Sequence, residues 1–366
     1  MAAGPQSTAN PNITYLPQLD VLRAVAVFLV FLLHWLPMPY WFEPGAIGVT
    51  LFFVLSGYLI SKILLKAKDG MQAGPANTLG RNLRQFYMRR ALRIFPIYFL
   101  VVGVLLVIDY GGIRQQAMHY LLYLVNYIQP VGKTTHLWTL GVEEQFYIGW
   151  PLLLLVVPRR RELALVLFFL LAGLLFRGLM LALLSGEALL FTSGYTPACL
   201  DAFGFGALLA LAHVRGVPLT GRHKLLIGVV CAVFYVVAIY SRVAPVKYLL
   251  FRTALSGLSF VLLAWVARPQ KALPAFFRNR WLLLMGKVSY GLYLYHNFMP
   301  EVYAALHHWA VAHNIRVPVV DIILFPVFNA RWQMFPIYLA MTIATALLSW
   351  HLIEKPLNNL KRYFPY

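Results

Sequence analysis

Residues 19–35 read LDVLRAVAVFLVFLLHW. Outside Asp20, Arg23 and His34 every residue is apolar, and at ~1.5 Å rise per residue such a run comes close to spanning the ~30 Å hydrocarbon core of a bilayer. No turn signal interrupts it, so it reads as a transmembrane helix near the start of the chain. A charge inside such a helix costs several kcal/mol unless it meets a partner or a water-filled cavity. The same stretch therefore announces both the fold and a candidate site.

The rest of the chain agrees. Of the 366 residues, 61% are hydrophobic and only 12% charged, and mean hydropathy is +0.71. A soluble domain carries about a quarter of its residues as charges, so this composition belongs to a membrane protein. The expected fold class is all-α: a polytopic membrane helix bundle of about ten spans. They lie near Leu19–Leu36, Ala46–Leu65, Arg93–Ile108, Trp138–Val157, Glu162–Leu184, Ala198–Val214, Leu225–Ser241, Leu249–Ala267, Leu282–Leu306 and Met334–Leu352. No internal repeat or soluble domain interrupts them, so residues 1–366 read as a single transmembrane domain with a polar segment at 1–17 and a short tail at 353–366. Cys199 and Cys231 sit in apolar runs and are too few for a disulfide framework.

The net charge of +19 is not a nucleic-acid signal, because the basic residues sit in short loops between spans. Lys66, Lys68, Arg81, Arg84, Arg89 and Arg90 fill one loop; Arg159–Arg161 fill another. Arg215, Arg222 and Lys224 form a third, and Arg268, Lys271, Arg278 and Arg280 a fourth; Lys355, Lys361 and Arg362 lie in the tail. All fall on one side if both termini are cytoplasmic, as the positive-inside rule requires. The apolar stretch Met118–Tyr127 is only about half a span and reads as a re-entrant or interfacial piece on the external face, with an eleven-span topology as the alternative. Met1–Pro17 has neither Lys or Arg nor a small-residue cleavage site, so the first helix is expected to stay in the mature protein.

Three clusters carry candidate chemistry. Arg23 and His34 are eleven residues apart, about three turns, so they share a helix face with ~16 Å between them. An interfacial Asp20–Arg23 pair and a packing histidine form the bland reading; a neutral imidazole poised as a general base is the functional one. In FYMRRALRIFP (86–96), Arg90 and Arg93 are spaced i, i+3 at the expected cytoplasmic mouth of the third span, where they read equally as positive-inside anchors or as a phosphate site, whereas Arg89 reads as an anchor. HLWTLGVEEQFY (136–147) opens the fourth span with His136, Trp138, Glu143, Glu144 and Tyr147. Its adjacent carboxylates cannot both face one way, and one of them could orient a histidine. Three weaker signals remain. GVTLFFVLSGYLI (48–60) reads as close helix packing, with Ser56 as a less favoured nucleophile. Arg177, Asp201 and Arg252 read as structural intramembrane pairs, and SYGLYLYHNF (289–298) places His296 at mid-span depth. Phosphate loops, metal-ligand spacings and G-x-S-x-G are absent.

Taken in order, LDVLRAVAVFLVFLLHW, GVTLFFVLSGYLI, RRALRIFP, HLWTLGVEEQFY and SYGLYLYHNF resemble the acyltransferase-3 family of membrane acyltransferases over most of the chain. That resemblance implies transfer of an acyl group, most often acetyl, from cytoplasmic acyl-CoA to a hydroxyl of an envelope or exported saccharide. It implies a multi-pass protein of the bacterial inner membrane whose partners are acyl-CoA, a saccharide or lipid-linked glycan and membrane lipids, without metal or nucleic acid. The family's first-helix arginine and histidine fall on Arg23 and His34, its paired arginines on Arg90 and Arg93, and its outer acidic motif on Glu143 and Glu144. By that reading His34, Glu143, Glu144 and Arg23 are catalytic, and Arg90, Arg93 and Arg23 hold the donor. Many relatives carry an extracytoplasmic SGNH hydrolase-like domain; none is expected here, as in stand-alone members that modify exopolysaccharides, nodulation factors or macrolides. His34 could act as a general base or be acylated itself. A secondary transporter using Asp20, Arg23, His34 and Glu143 as a proton relay is the rival.

Overall fold

The computed structural model describes residues 15–39, 41–73, 77–241, 243–268, 273–313 and 330–365; residues 1–14 of the polar N-terminal segment and Lys271 lie outside them. The long helices are α1 (Gln18–Trp35), α2 (Pro44–Ala73), α3 (Leu79–Val107), α5 (Trp138–Val156), α6 (Glu162–Leu183), α8 (Leu200–Arg215), α9 (Gly221–Tyr240), α10 (Ala244–Val266) and α14 (Ala330–Ser349). Shorter pieces are α4 (Ala117–Leu121), α7 (Gly186–Phe191), α11 (Arg280–Lys287), α12 (Ser289–Tyr295) and α13 (Met299–Ala312). No strand occurs among the described residues. Helices meet most of their backbone polar groups internally, the arrangement hydrocarbon demands.

Eight of these helices are long and apolar enough to cross a membrane: α1, α2, α3, α6, α8, α9, α10 and the one built on α14. Two of the ten expected spans are not among them. The fourth, α5, has 19 residues, but its Glu143, Glu144 and Gln145 dilute its apolar character. The ninth, expected at Leu282–Leu306, is broken into α11, α12 and α13, with a 3₁₀ turn at His296–Phe298 between the last two. Conversely, α2 and α3 run well past their expected ends, because hydropathy reads the thickness of hydrocarbon and not where hydrogen bonding stops.

Met118–Tyr127 does not cross. It contains all but the first residue of the five-residue α4, about 7.5 Å long, and a 3₁₀ turn at Val125–Tyr127. The Tyr98 hydroxyl donates to the Tyr120 carbonyl (2.7 Å), and Gln145 Nε2 donates to the Tyr123 carbonyl (2.8 Å), pinning the segment onto α3 and α5.

Polar contacts tie the helix ends together. Lys68 of α2 pairs with Glu162 of α6 (2.9 Å), which Arg215 of α8 also holds (2.7 Å) while reaching Asp69 (2.5 Å). Gln18 Nε2 donates to the Arg268 carbonyl (2.8 Å), joining the start of α1 to the end of α10. Arg89 donates to the carbonyls of Lys361 and Phe364 (both 3.0 Å), fixing the tail against α3. At the opposite end Lys247 pairs with Glu43, and the Tyr110 hydroxyl donates to Glu301 (2.7 Å).

Glycines decide how α2 sits in the centre. A Cβ on Gly48 would strike the Ala26 backbone of α1, and one on Gly57 the Phe203 backbone of α8; Gly206 of α8 faces Val54 and Tyr58 in return. Small residues let helix axes approach where lipid gives no hydrophobic drive of its own. Arg177 of α6 and Asp201 of α8 lie 2.7 Å apart at 1% and 0% exposure, with the Thr253 hydroxyl of α10 also donating to Asp201 (2.7 Å). That pair bears out the structural reading; Arg252 does not join it and packs elsewhere.

Gly57→Val should therefore lower the apparent Tm of detergent-purified protein, with overpacking costing about 1–3 kcal/mol. Gly103→Ala, where an added Cβ meets nothing within 4 Å, should be neutral or stabilising by up to ~1 kcal/mol. Equal Tm values for the two variants would contradict the close α2–α8 contact.

Candidate active site

Two cavities lie on the same face of α1, one at its Arg23 end and one at its His34 end. The first, about 80 Å³, is lined by Arg23, Ser56 of α2, Arg90 and Arg93 of α3, Glu143 of α5 and Tyr293 of α12. The polar side chains arrive on five helices, each of which contributes one face: on α2, Val49, Phe52, Ser56 and Leu59 recur at helical spacing. Arg23 is held by Asp20 (2.6 Å), whose other oxygen accepts from Tyr15. Arg90 lies over the Tyr147 ring, 4.6 Å from its centroid. Arg93 makes no ion pair among the described residues. The Ser56 hydroxyl donates to Glu143 (2.8 Å) and lies 2.8 Å from the Tyr147 hydroxyl. Three guanidinium groups thus face two carboxylates, Asp20 and Glu143, and the cavity favours an anion.

The second cavity is larger, about 520 Å³, within the ~300–1,000 Å³ typical of ligand sites. His34, Asn126, Trp138, Ser193 and Arg252 line it. Arg252 donates to the Ser193 carbonyl (3.0 Å) and lies over the Trp138 ring, 5.7 Å from its centroid. His34 is exposed into this space. Its ring hydrogen bonds go to the Val30 carbonyl (3.0 Å) and to His296 (3.2 Å).

Val49 and Tyr293 line both cavities and stand between them. The Tyr293 hydroxyl is fixed by Thr139 Oγ1 (2.6 Å) and the His136 carbonyl (3.0 Å).

The expected site residues therefore divide. Arg23, Arg90, Arg93 and Glu143 come together, and His34 lies in the neighbouring cavity. Glu144 is buried at 5% exposure and lines neither. Neither carboxylate orients His34; that contact is made by His296, in the 3₁₀ turn that follows α12. His136 is buried at 2%, with one ring nitrogen 3.0 Å from the Leu294 carbonyl and the other 3.0 Å from that of Lys133, so it serves the packing of α12. Ser56, read mainly as a packing residue, is instead the donor to Glu143. The signal that could have found it is its seven-residue spacing from Val49 on one face of α2.

A family model described as an acyltransferase domain, that of the acyltransferase-3 family, matches residues 16–354. The chain belongs to the acyltransferase-3 family. It is similar to "Peptidoglycan O-acetyltransferase" of Listeria monocytogenes, 29% identical over 391 residues that cover 96% of this chain and 57% of that protein. It is also similar to "Putative peptidoglycan O-acetyltransferase" of Bacillus subtilis, 30% identical over 386 residues covering 94% of this chain and 55% of that protein. This acyltransferase-3 chain thus spans little more than half the length of the curated relatives it matches. No solved structure matches it.

Ser56→Ala should destabilise the protein by about 1–3 kcal/mol, because a buried carboxylate loses a donor. In a Glu143→Gln background the same change should cost less, with a coupling of at least ~0.5 kcal/mol in a double-mutant cycle of thermal unfolding. Additive effects would show that the two side chains do not depend on one another.

Proposed function

We propose that the chain is a membrane O-acyltransferase that moves an acyl group, most simply acetyl, from acyl-CoA on the cytoplasmic side to a hydroxyl of an envelope saccharide. The observation that carries this reading is the pair of cavities back to back. One is rich in arginine and the other holds an exposed histidine, with Val49 and Tyr293 between them.

In this mechanism Arg90 and Arg93 bind the phosphates of the donor, since guanidinium forks match phosphate oxygens and hold them against water. Arg23 continues the positive lining toward the membrane interior. The thioester arm extends along the α1 face, a path of ~16 Å between Arg23 and His34. At the far end the acceptor hydroxyl meets His34. The hydroxyl oxygen attacks the thioester carbonyl as His34 takes its proton, a C–O bond forms, the C–S bond breaks, and the proton passes to the departing sulfur. Glu143, held by Ser56, belongs to the donor cavity and tunes its charge.

The acceptor cavity supports a saccharide: Asn126 and Ser193 offer hydrogen bonds, Trp138 a flat apolar face, and Arg252 a positive charge for an acidic sugar. Peptidoglycan fragments are the first acceptors to try, given what the relatives are named for.

Purified protein in liposomes, supplied with labelled acetyl-CoA outside and a peptidoglycan fragment inside, should label the enclosed saccharide. His34→Ala should lower that rate at least ~100-fold. Arg93→Ala should raise the KM for acetyl-CoA about tenfold while leaving kcat within a few-fold, the loss of one charge-assisted phosphate contact. Unchanged labelling by His34→Ala would place the base elsewhere.

A further inference from the structure

His296 sits at 0% exposure in the 3₁₀ turn that separates α12 from α13, and its ring faces His34 across the bundle. Its Nδ1 lies 2.6 Å from the Tyr293 carbonyl and its Nε2 3.2 Å from His34 Nδ1. A carbonyl oxygen only accepts, so the nitrogen beside it carries the proton. His296 is therefore protonated at Nδ1, and its Nε2, in a neutral ring, is an acceptor.

The same rule applies on the other side. His34 Nδ1 lies 3.0 Å from the Val30 carbonyl, so it too carries a proton, shared between that carbonyl and His296 Nε2. A neutral His34 protonated at Nδ1 has its lone pair on Nε2. No hydrogen bond to that nitrogen occurs among the described residues, and the ring is exposed into the larger cavity. The surroundings keep His296 in place: Phe31 lies 5.2 Å from its ring centroid, Trp35 6.2 Å and His136 5.0 Å. His136 does not compete, because its two nitrogens are taken up by the Leu294 carbonyl and by the Lys133–Asn297 group.

We propose that His296 is a positioning residue that accepts a hydrogen bond from His34 Nδ1 and so presents His34 Nε2, unprotonated, to the acceptor hydroxyl. This rests on the acyltransferase reading given above. When His34 Nε2 takes the hydroxyl proton, His34 becomes an imidazolium whose Nδ1–H still donates to His296 Nε2. The proton leaves from Nε2 to the sulfur of the departing donor. His296 changes neither its own protonation nor its bonding through the cycle. It holds one ring and one tautomer in place, the service a third group gives a catalytic histidine in triads.

Two amide variants separate this role from a packing role. His296→Gln can place its carbonyl oxygen where Nε2 stood and accept from His34. His296→Asn can place its amide nitrogen where Nδ1 stood, keep the bond to Tyr293, and fail to reach His34. In the liposome assay His296→Asn should lower kcat about 100-fold or more with the donor KM within about threefold, whereas His296→Gln should stay within about tenfold of wild type. Equal rates for the two variants, or a faster His296→Asn, would overturn the proposal. Wild-type protein labelled with 15N-histidine gives a readout that needs neither variant nor activity. Solid-state NMR, with His34 assigned from the signals missing in His34→Ala, should find Nδ1 protonated and Nε2 bare. The opposite tautomer at His34 overturns the proposal whatever the assay shows. Absence of transfer by wild type would instead sink the acyltransferase reading and leave the tautomer measurement standing.

Discussion

Hydrocarbon gives a charged side chain no water to lean on, so every ion and every free backbone group at membrane depth must find its partner inside the protein. In this chain that constraint organises the bundle. Arg177 and Asp201 close on each other with Thr253 beside them. Glu162 binds both Lys68 and Arg215 where α2, α6 and α8 meet. Arg23 is held by Asp20 while still lining a cavity. Charges that are matched tie helices together, and those left in excess, on Arg90 and Arg93, gather around a space able to receive something negative.

The break between α12 and α13 obeys the same constraint. A 3₁₀ turn at His296–Phe298 disturbs the regular helical ladder, and the carbonyls of Tyr293 and Leu294 are met by side chains. His296 Nδ1 faces the first (2.6 Å) and His136 Nε2 the second (3.0 Å). Irregular backbone at membrane depth is tolerated when buried in protein with its polar groups answered. The irregularity also aims His296 at His34, so the repair of a helix break and the orientation of a candidate base are one arrangement.

Much of this was legible in the amino-acid sequence, and the failures have physical causes. The first span, expected at Leu19–Leu36, is α1 at Gln18–Trp35, because its apolar run is bounded by Pro17 and by the Pro37 that follows. The face shared by Arg23 and His34 followed from helical period alone. The breaks in the ninth span were not visible, since SYGLYLYHNF reads as a continuous apolar helix and the side chains that answer its carbonyls include one from residue 136. The acidic motif offers Glu143 or Glu144 as the partner of His34, yet the contact is made 262 positions away, by His296. No local spacing reveals which faces of two distant helices meet. For the same reason Ser56 and Arg252 take their meaning from the cavities they line, which no local pattern displays.

The wall made by Val49 and Tyr293 has a consequence for the cell as well as for the reaction. A membrane that stores energy as an ion gradient cannot hold many proteins with an open aqueous bore. Here the two cavities lie toward opposite ends of α1 and share a valine side chain and a tyrosine ring whose hydroxyl is tied at both Thr139 and His136. In the proposed reaction, only a small group on a slender arm would need to be handed past such a barrier. On that proposal the fold would export a chemical modification without exporting the molecule that carries it, and the membrane would stay closed while it did so.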